Sequence, residues 1–263
     1  MKAVSILYHD VVSGGNWHSS GFLVLGTTRY KLDRAEFAKH LAAIAKVRAT
    51  HPALASELSK CPECAFPFLL TFDDGGESAY TCIADLLEKY GWKGHFLVTA
   101  GYIGTNGFLT AEQIRCLRKT GHVIGSHSFS HPEKMSDLSR EALVEEWSRS
   151  VKLLSDIIGE PVSTASVPRG YYSKRVAQAA SIAGIGVLFN SEPTTKVHLV
   201  NGCHVLGRFT LFQGMAPVVS GELVSKRSFA RQKQWLYWNF KKSFKLFGRR
   251  LYLRVREHLL SNR

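Results

Sequence analysis

The run LLTFDDGG, residues 69–76, ends an apolar stretch on two adjacent carboxylates, Asp73 and Asp74, and follows them with two glycines. Phe66 to Phe72 has the length and apolar continuity of a strand buried on both faces. Gly75 and Gly76 mark a sharp turn directly after it. Such a strand belongs inside a layered α/β fold, and its end delivers two carboxylates to whatever lies beyond the sheet. Carboxylates placed there lose hydration, a cost that a cation or hydrogen bonds must offset.

Further along, HSFSH places His127 and His131 four residues apart. That spacing lets a helical turn or a tight loop aim both at one ion. Two histidines and one carboxylate make an open catalytic zinc site, with a fourth position left for water or substrate. Neighbours on a strand point to opposite faces, but at a strand end the turn can bring both aspartates to one place. One carboxylate then ligates while the other accepts a proton, the division that metal-assisted hydrolysis needs. Two readings compete with this one. Asp73 and Asp74 could form only a turn and a helix cap, and the same ligand types also form the facial triad of non-haem iron oxygenases.

The rest of the chain alternates. Val4 to Tyr8 reads as a strand, residues 13–31 as a loop, and Asp33 as the cap of a helix from Arg34 to about Thr50. Residues 51–67 read as a loop with a helical turn, and a helix is expected over residues 78–90. His95 to Thr99 is a strand. Thr110 opens a helix, with Gln113 behind it as a partial capping box. His122 to Ser126 is a strand, Ser139 starts a long helix to about Ile158, and Ile185 to Phe189 is a strand. This rhythm argues for βαβ units on a parallel sheet. Seven or eight such units close a barrel with its catalytic groups at the C-terminal ends of the strands. Asp73, Asp74 and His127 fall at such ends. His9 ends the first strand and reads either as a substrate contact or as a packed histidine. His18, in the loop, is a further candidate substrate contact. His95 and His122 begin their strands, at the opposite mouth, and read as structural.

TFDDG together with HSFSH resembles the motif pair of the polysaccharide deacetylases, carbohydrate esterase family 4. The segment between the motifs, Tyr80 to Pro132, is similar to the family's alternation of helices and strands. The opening ILYHDVV is similar to the Tyr-His-x-Val start of many members. The resemblance covers about residues 1–215. It implies a distorted parallel (β/α) barrel of about seven strands that removes acetyl groups from sugars. By position it makes Asp73 the base and Asp74, His127 and His131 the ligands of a divalent metal, most plausibly zinc.

Two departures from the family's pattern bear on catalysis. Many members carry Arg-Pro-Pro-Tyr-Gly after the long helix, and here the matching stretch is SVPRGYY, residues 166–172. Ser166 stands where the Arg would orient the catalytic aspartate. Arg169 stands where a backbone N–H would meet the oxyanion, a donor that survives a side-chain change; a plain surface turn is the alternative. Tyr171 is a candidate for stacking on a sugar. The family's Leu-x-His, which supplies the general acid, is missing from CHVLGRFTLFQGM, residues 203–215. Glu192 and His204 are the substitutes considered, because a positioned acid is worth about 10²–10⁴-fold in rate.

Composition bounds the rest. The chain has 263 residues, 45% of them hydrophobic, enough for one barrel, and no apolar run long enough to span a membrane. It passes from Met1 and Lys2 straight into AVSILY, so no secretory signal is read there and a cytoplasmic protein is expected. The five cysteines are odd in number and irregular in spacing, which fits reduced thiols. Cys61 and Cys64 form the lone CxxC, better read as a turn than as a zinc or redox pair. The net charge of +13 concentrates at the C-terminus, where residues 226–263 hold twelve basic residues against one acid, Glu257. Phe229, Leu236, Phe240, Phe244, Phe247, Leu251, Val255 and Leu259 recur at three- and four-residue steps in the same segment. A basic amphipathic helix with Trp235 and Trp238 suits the surface of an anionic membrane, peripheral on its inner face. A barrel-capping helix and a polyanion contact are the alternatives, and nothing else suggests nucleic acid.

The expectation is therefore a deacetylase barrel over residues 1–225 and a basic helical extension over residues 226–263. Its substrate is an N-acetylated glycan or glycolipid, in a polysaccharide, cell-envelope glycan or lipid-linked precursor. A glycan-binding relative with weak catalysis is the second reading, motivated by the missing Arg and Leu-x-His.

Overall fold

The computed structural model of the chain describes residues 1–23, 27–60 and 66–240. Cys61, Cys64 and the basic run beyond residue 240 lie outside the described residues. The described chain opens with β1 (Val4–Tyr8), β2 (Val11–Val12), β3 (Leu32–Asp33), α1 (Arg34–Val47) and β4 (Phe68–Phe72). Then follow α2 (Ala84–Glu88), β5 (His95–Val98), α3 (Ala111–Lys119), β6 (Val123–Ser126) and α4 (Arg140–Ile158). β7 (Thr164–Ser166), α5 (Lys174–Ile182), β8 (Val187–Phe189), β9 (Val197–Val200), β10 (Cys203–Leu206), β11 (Phe209–Thr210) and α6 (Pro217–Val224) complete it. Residues 229–240 are helical as well.

The main sheet has the strand order β11-β1-β4-β5-β6-β7-β8-β10-β9. Every pairing in it is parallel except that of β10 with β9. It curls into the expected (β/α) barrel, and Lys2, just below β1, bridges to Lys196, just before β9. Both faces of β1, β4 and β5 are buried, which explains why they read as continuous apolar runs. On β4, Phe68, Leu70 and Phe72 face the layer under α1 and α2, whereas Leu69 packs with Leu97, Phe189 and Leu206 inside the barrel. The inward row on β4 runs Leu69, Thr71, and its next member is Asp73.

The helix signals are realised locally. Asp33 accepts the Ala35 N–H at 2.8 Å, Thr110 and Gln113 complete the capping box, and Ser139 accepts the Ala142 N–H. Gly159, at φ 75°, ends α4, where a left-handed residue spares a side-chain clash.

Three expectations need correcting. The helix over 78–90 is a π-helical turn, Ala79–Ile83, running into the short α2. Among the described residues the sheet has nine strands rather than about seven, because β11 is added at one edge and β9 pairs back on β10. That β9–β10 hairpin turns at Asn201 and Gly202, with φ of 48° and 83°, the left-handed pair that a type I′ turn demands. Finally, His204 lies on β10 opposite Val187 and Leu199. This is the bottom side of the Leu206–Phe189 layer, so it faces away from the barrel mouth that carries Asp73.

Candidate active site

The site forms where β1, β4, β6 and β7 end. Asp73 donates its backbone N–H to Tyr8 O at 3.0 Å, and its side chain is 3% exposed. Asp74, Ser128, His131 and Arg169 all have positive φ, between 54° and 77°. Such backbones cost roughly 1–3 kcal/mol each for residues with side chains. Four of them at one barrel mouth show that the fold bends its chain there to converge side chains.

The oxygens and ring nitrogens of Asp74, His127 and His131 lie within 4.8 Å of one another. Asp74 Oδ1 is 3.4 Å from His127 Nε2 and 3.6 Å from His131 Nε2. The donor chemistry fits a divalent ion. Ser166 Oγ donates to Asp73 Oδ1 at 2.9 Å, so at 2.6 Å it must accept the proton of His127 Nδ1. That fixes the tautomer and leaves the Nε2 lone pair facing Asp74, the outer-shell arrangement typical of a metal-ligating histidine. Burial, then the neighbouring His127, lower His131 to about 4, which keeps its ring neutral and able to ligate. Burial pushes the Asp74 carboxyl up, but hydrogen bonding from His127 and positive charge on His9, His127 and His131 outweigh it when those rings are protonated, and hold the group well below the usual range.

Asp73 is anchored by a residue that sequence reasoning missed. Arg208 is fully buried and grips the carboxylate with two bonds, Nη1 to Oδ1 at 2.6 Å and Nη2 to Oδ2 at 2.7 Å. Its Nε donates to Asn190 O at 2.9 Å and Nη1 also reaches Thr71. Burial raises the Asp73 pKa, and the charge and hydrogen bonds of Arg208 more than reverse this, with His127 adding to them. A lone arginine within the apolar run HVLGRFTLF was the available signal, since a buried guanidinium requires an acid. Gly207 lets the chain pass there, because a side chain on it would collide with the Glu192 carbonyl.

The loop after β1 is fastened onto the DDGG turn. Asp10 Oδ1 accepts the hydroxyls of Ser20 at 2.6 Å and Ser78 at 2.8 Å. Lys31, 2% exposed, donates to Trp17 O and Ser20 O. A side chain on Gly76 would collide with the Asp10 carboxylate. The result lays Phe22 against the His131 ring at 4.6 Å and Tyr30 against His9 at 4.8 Å, with Phe212 beyond Tyr30.

The remaining expected residues separate into those near the site and those away from it. His9 is at the mouth: its charge acts on both Asp73 and Asp74, and its Nδ1 is buried without a hydrogen-bond partner. Arg169 is at the mouth too. Gly170 and Tyr171 donate their N–H groups to Val167 and Pro168, whereas that of Arg169 is not used in the turn; its guanidinium lies 3.8 Å from Glu133. Tyr171 is 37% exposed, with Lys134 over its ring. Glu192 follows β8, and its charge acts on Tyr172. Its carbonyl accepts the Arg208 N–H at 3.0 Å, so the contact with the catalytic region is through backbone. His18 is exposed, and among the described residues no hydrogen bond or ring contact joins it to the site.

Residues 63–188 match the family model described as Polysaccharide deacetylase. The chain is 30% identical over 122 residues to a peptidoglycan-N-acetylmuramic acid deacetylase, PdaA, of Bacillus subtilis (strain 168), covering 46% of this chain and 44% of that one. It spans about half the length, or less, of the curated relatives it matches. Among solved structures, the Streptococcus pyogenes deacetylase PplD superposes with a TM-score of 0.66 at 20% identity, covering 82% of this chain and 95% of that one. IcaB from Ammonifex degensii superposes with a TM-score of 0.69 at 21% identity, covering 85% and 97%. These last two likenesses concern the fold.

Proposed function

We propose that this chain is a member of the polysaccharide deacetylase family, whose model matches residues 63–188, and that it hydrolyses the N-acetyl group of a sugar in a cell-envelope glycan or its precursor, yielding acetate and a free amine. One observation carries the reading: a buried carboxylate, Asp73, clamped by Arg208 beside the Asp74–His127–His131 set. A glycan-binding relative has no need of a buried aspartate held ionised by an arginine, and an iron oxygenase has no need of that proton acceptor.

Asp74, His127 and His131 would hold the ion, and their mixed nitrogen and oxygen donors suit zinc. A divalent ion there supplies Lewis acidity, which polarises the acetyl carbonyl and lowers the pKa of the attacking water. Asp73 accepts the proton of that water, and Arg208 and Ser166 keep its oxygens aimed while it does so. The Arg169 N–H donates to the oxygen that becomes negative as the carbonyl is attacked, a contact typically worth a few kcal/mol. His9 replaces Glu192 and His204 as the acid for the leaving amine. Its ring is placed by Tyr30, it acts electrostatically on both aspartates, and its Nδ1 has no other partner. The exposed aromatic faces of Tyr30 and Tyr171 flank the mouth and suit sugar rings. The N-acetylated sugar named for the Bacillus relative supports an amide substrate.

The test is acetate release from N-acetylated oligosaccharides, comparing zinc-loaded protein, chelated protein and Asp73→Asn. The proposal requires release that depends on both the metal and Asp73. Metal-loaded protein that binds the oligosaccharide without turnover would instead make this a glycan-binding protein.

A further inference from the structure

The chain after α6 takes no part in the proposed chemistry, yet it is built onto the barrel. α6 runs beside α1 from the mouth to the bottom, from Gly214 against Glu36 to Val224 against Arg48. Residues 225–228 turn the chain, and residues 229–240 rise as a helix. Glu222 accepts the Ala230 N–H at 2.8 Å, and Arg231 donates to Ser225 O at 2.7 Å. Gln234 then takes both backbone groups of Thr210 in β11, its Oε1 accepting at 3.2 Å and its Nε2 donating at 3.0 Å. The helix thus covers the open edge of the sheet and climbs toward the catalytic mouth. By residue 240 it has advanced about 9 Å beyond Gln234.

Its outer side carries Phe229, Lys233 and Leu236 at positions i, i+4 and i+7, with Trp235 beside them. Phe229 is 75% exposed, Leu236 61% and Trp235 49%. No described helix is long and apolar enough to cross a membrane. The sequence that follows, residues 241–263, adds eight basic residues and a single acid. We propose that the helix over residues 229–240, with Lys226 and Arg227 just before it, binds the surface of an anionic lipid bilayer, with Phe229, Trp235 and Leu236 at the headgroup boundary. Lys226, Arg227 and Lys233 would lie among the phosphates, and the charge of the sequence that follows adds to the attraction. Exposed aliphatic and aromatic groups beside concentrated positive charge are the two signals that surface-lying helices combine; a nucleic acid would use the charge but leave Leu236 without a role.

Flotation of the full chain with phosphatidylcholine vesicles, alone or with roughly a third phosphatidylglycerol, tests this independently of turnover. Binding is expected only to the anionic vesicles, weakened by salt, with a blue shift of tryptophan emission. Phe229→Ser with Leu236→Ser, at solvent-facing positions, should lower partitioning about tenfold or more. Replacing Lys241, Lys242, Lys245, Arg249 and Arg250 by Gln should lower it by roughly a hundredfold or more. An unchanged melting profile verifies that each variant is folded. Failure of the wild type to float with either vesicle overturns the proposal. So does equal binding to both vesicles, binding unaffected by the paired serine substitutions, or retention on a soluble polyanion alone.

Discussion

Asp73 keeps its charge inside the protein because Arg208 meets both of its oxygens and Ser166 meets one. Arg208→Met would leave a buried carboxylate unpaired, at about 3–5 kcal/mol of stability. In the enzyme it should also raise the Asp73 pKa, so the acidic limb of the rate profile moves to higher pH. The sign follows from the depressed folded pKa: the paired carboxylate stabilises the fold above its unfolded pKa, and this is lost as pH falls through the folded one. Arg208→Lys keeps the charge without the two-pronged grip and should shift the limb less, while kcat still falls roughly tenfold to a hundredfold. Pre-steady-state or steady-state pH profiles of the two variants check this, and identical limbs in both would refute the positioning role. His9→Gln should lower kcat by about 10²–10⁴-fold, with the smallest loss on substrates whose leaving group needs no proton; acetate release from an activated aryl ester measures that difference. The pairing of Arg208 with Asp73 was not legible because it joins residues 135 apart, and no local period reports such a contact. His127 and His131 were legible because their four-residue spacing is local, and Asp74 because an aspartate pair closing an apolar run is a local signal too.

At the scale of elements, caps and strands followed from short-range chemistry. Asp33, Thr110 and Ser139 do what their side chains predict at helix starts. The β9–β10 hairpin was missed although Asn201-Gly202 announces its turn, because β9 is largely exposed and has no apolar alternation to show. His95 and His122, read as structural from their places at strand starts, are linked into neighbouring elements by neutral rings. His95 Nδ1 donates to Leu70 O at 2.9 Å while Nε2 accepts the Ala55 N–H at 2.9 Å. His122 Nδ1 accepts the Gly94 N–H at 3.1 Å. Burial lowers both to about 4. A histidine that protonates more readily unfolded than folded contributes stability fully present above its unfolded pKa. That contribution declines as pH falls from about 6.5 toward 4. Thermal midpoints measured down this range on metal-free protein should fall. His122→Asn, which keeps an acceptor without a titrating group, should flatten the slope; an unchanged slope would show that acid unfolding starts elsewhere.

At the scale of the whole molecule, the site exists only when the barrel is assembled. Asp74 comes from the end of β4, His127 and His131 from the end of β6, the Ser166 that orients His127 from β7, and Arg208 from the join of β10 and β11. These positions are far apart in the unfolded chain, so the unfolded state offers an ion no comparable site. A ligand that binds only the folded state stabilises it by mass action, by about 2.7 kcal/mol at a hundred times its Kd. For a chain of this size that corresponds to a rise in Tm of roughly 5–10 °C. Zinc added to chelated protein should therefore raise Tm, and chelation should reverse the rise. Asp74→Asn should remove the response, since it takes away the carboxylate shared by both histidines. Asp73→Asn should retain most of it, because Asp73 lies 3.9 Å from His127 Nε2 and is already engaged by Arg208. Scanning calorimetry of the three proteins separates the roles of two adjacent residues: loss of the zinc response in Asp73→Asn, with retention in Asp74→Asn, would exchange base and ligand.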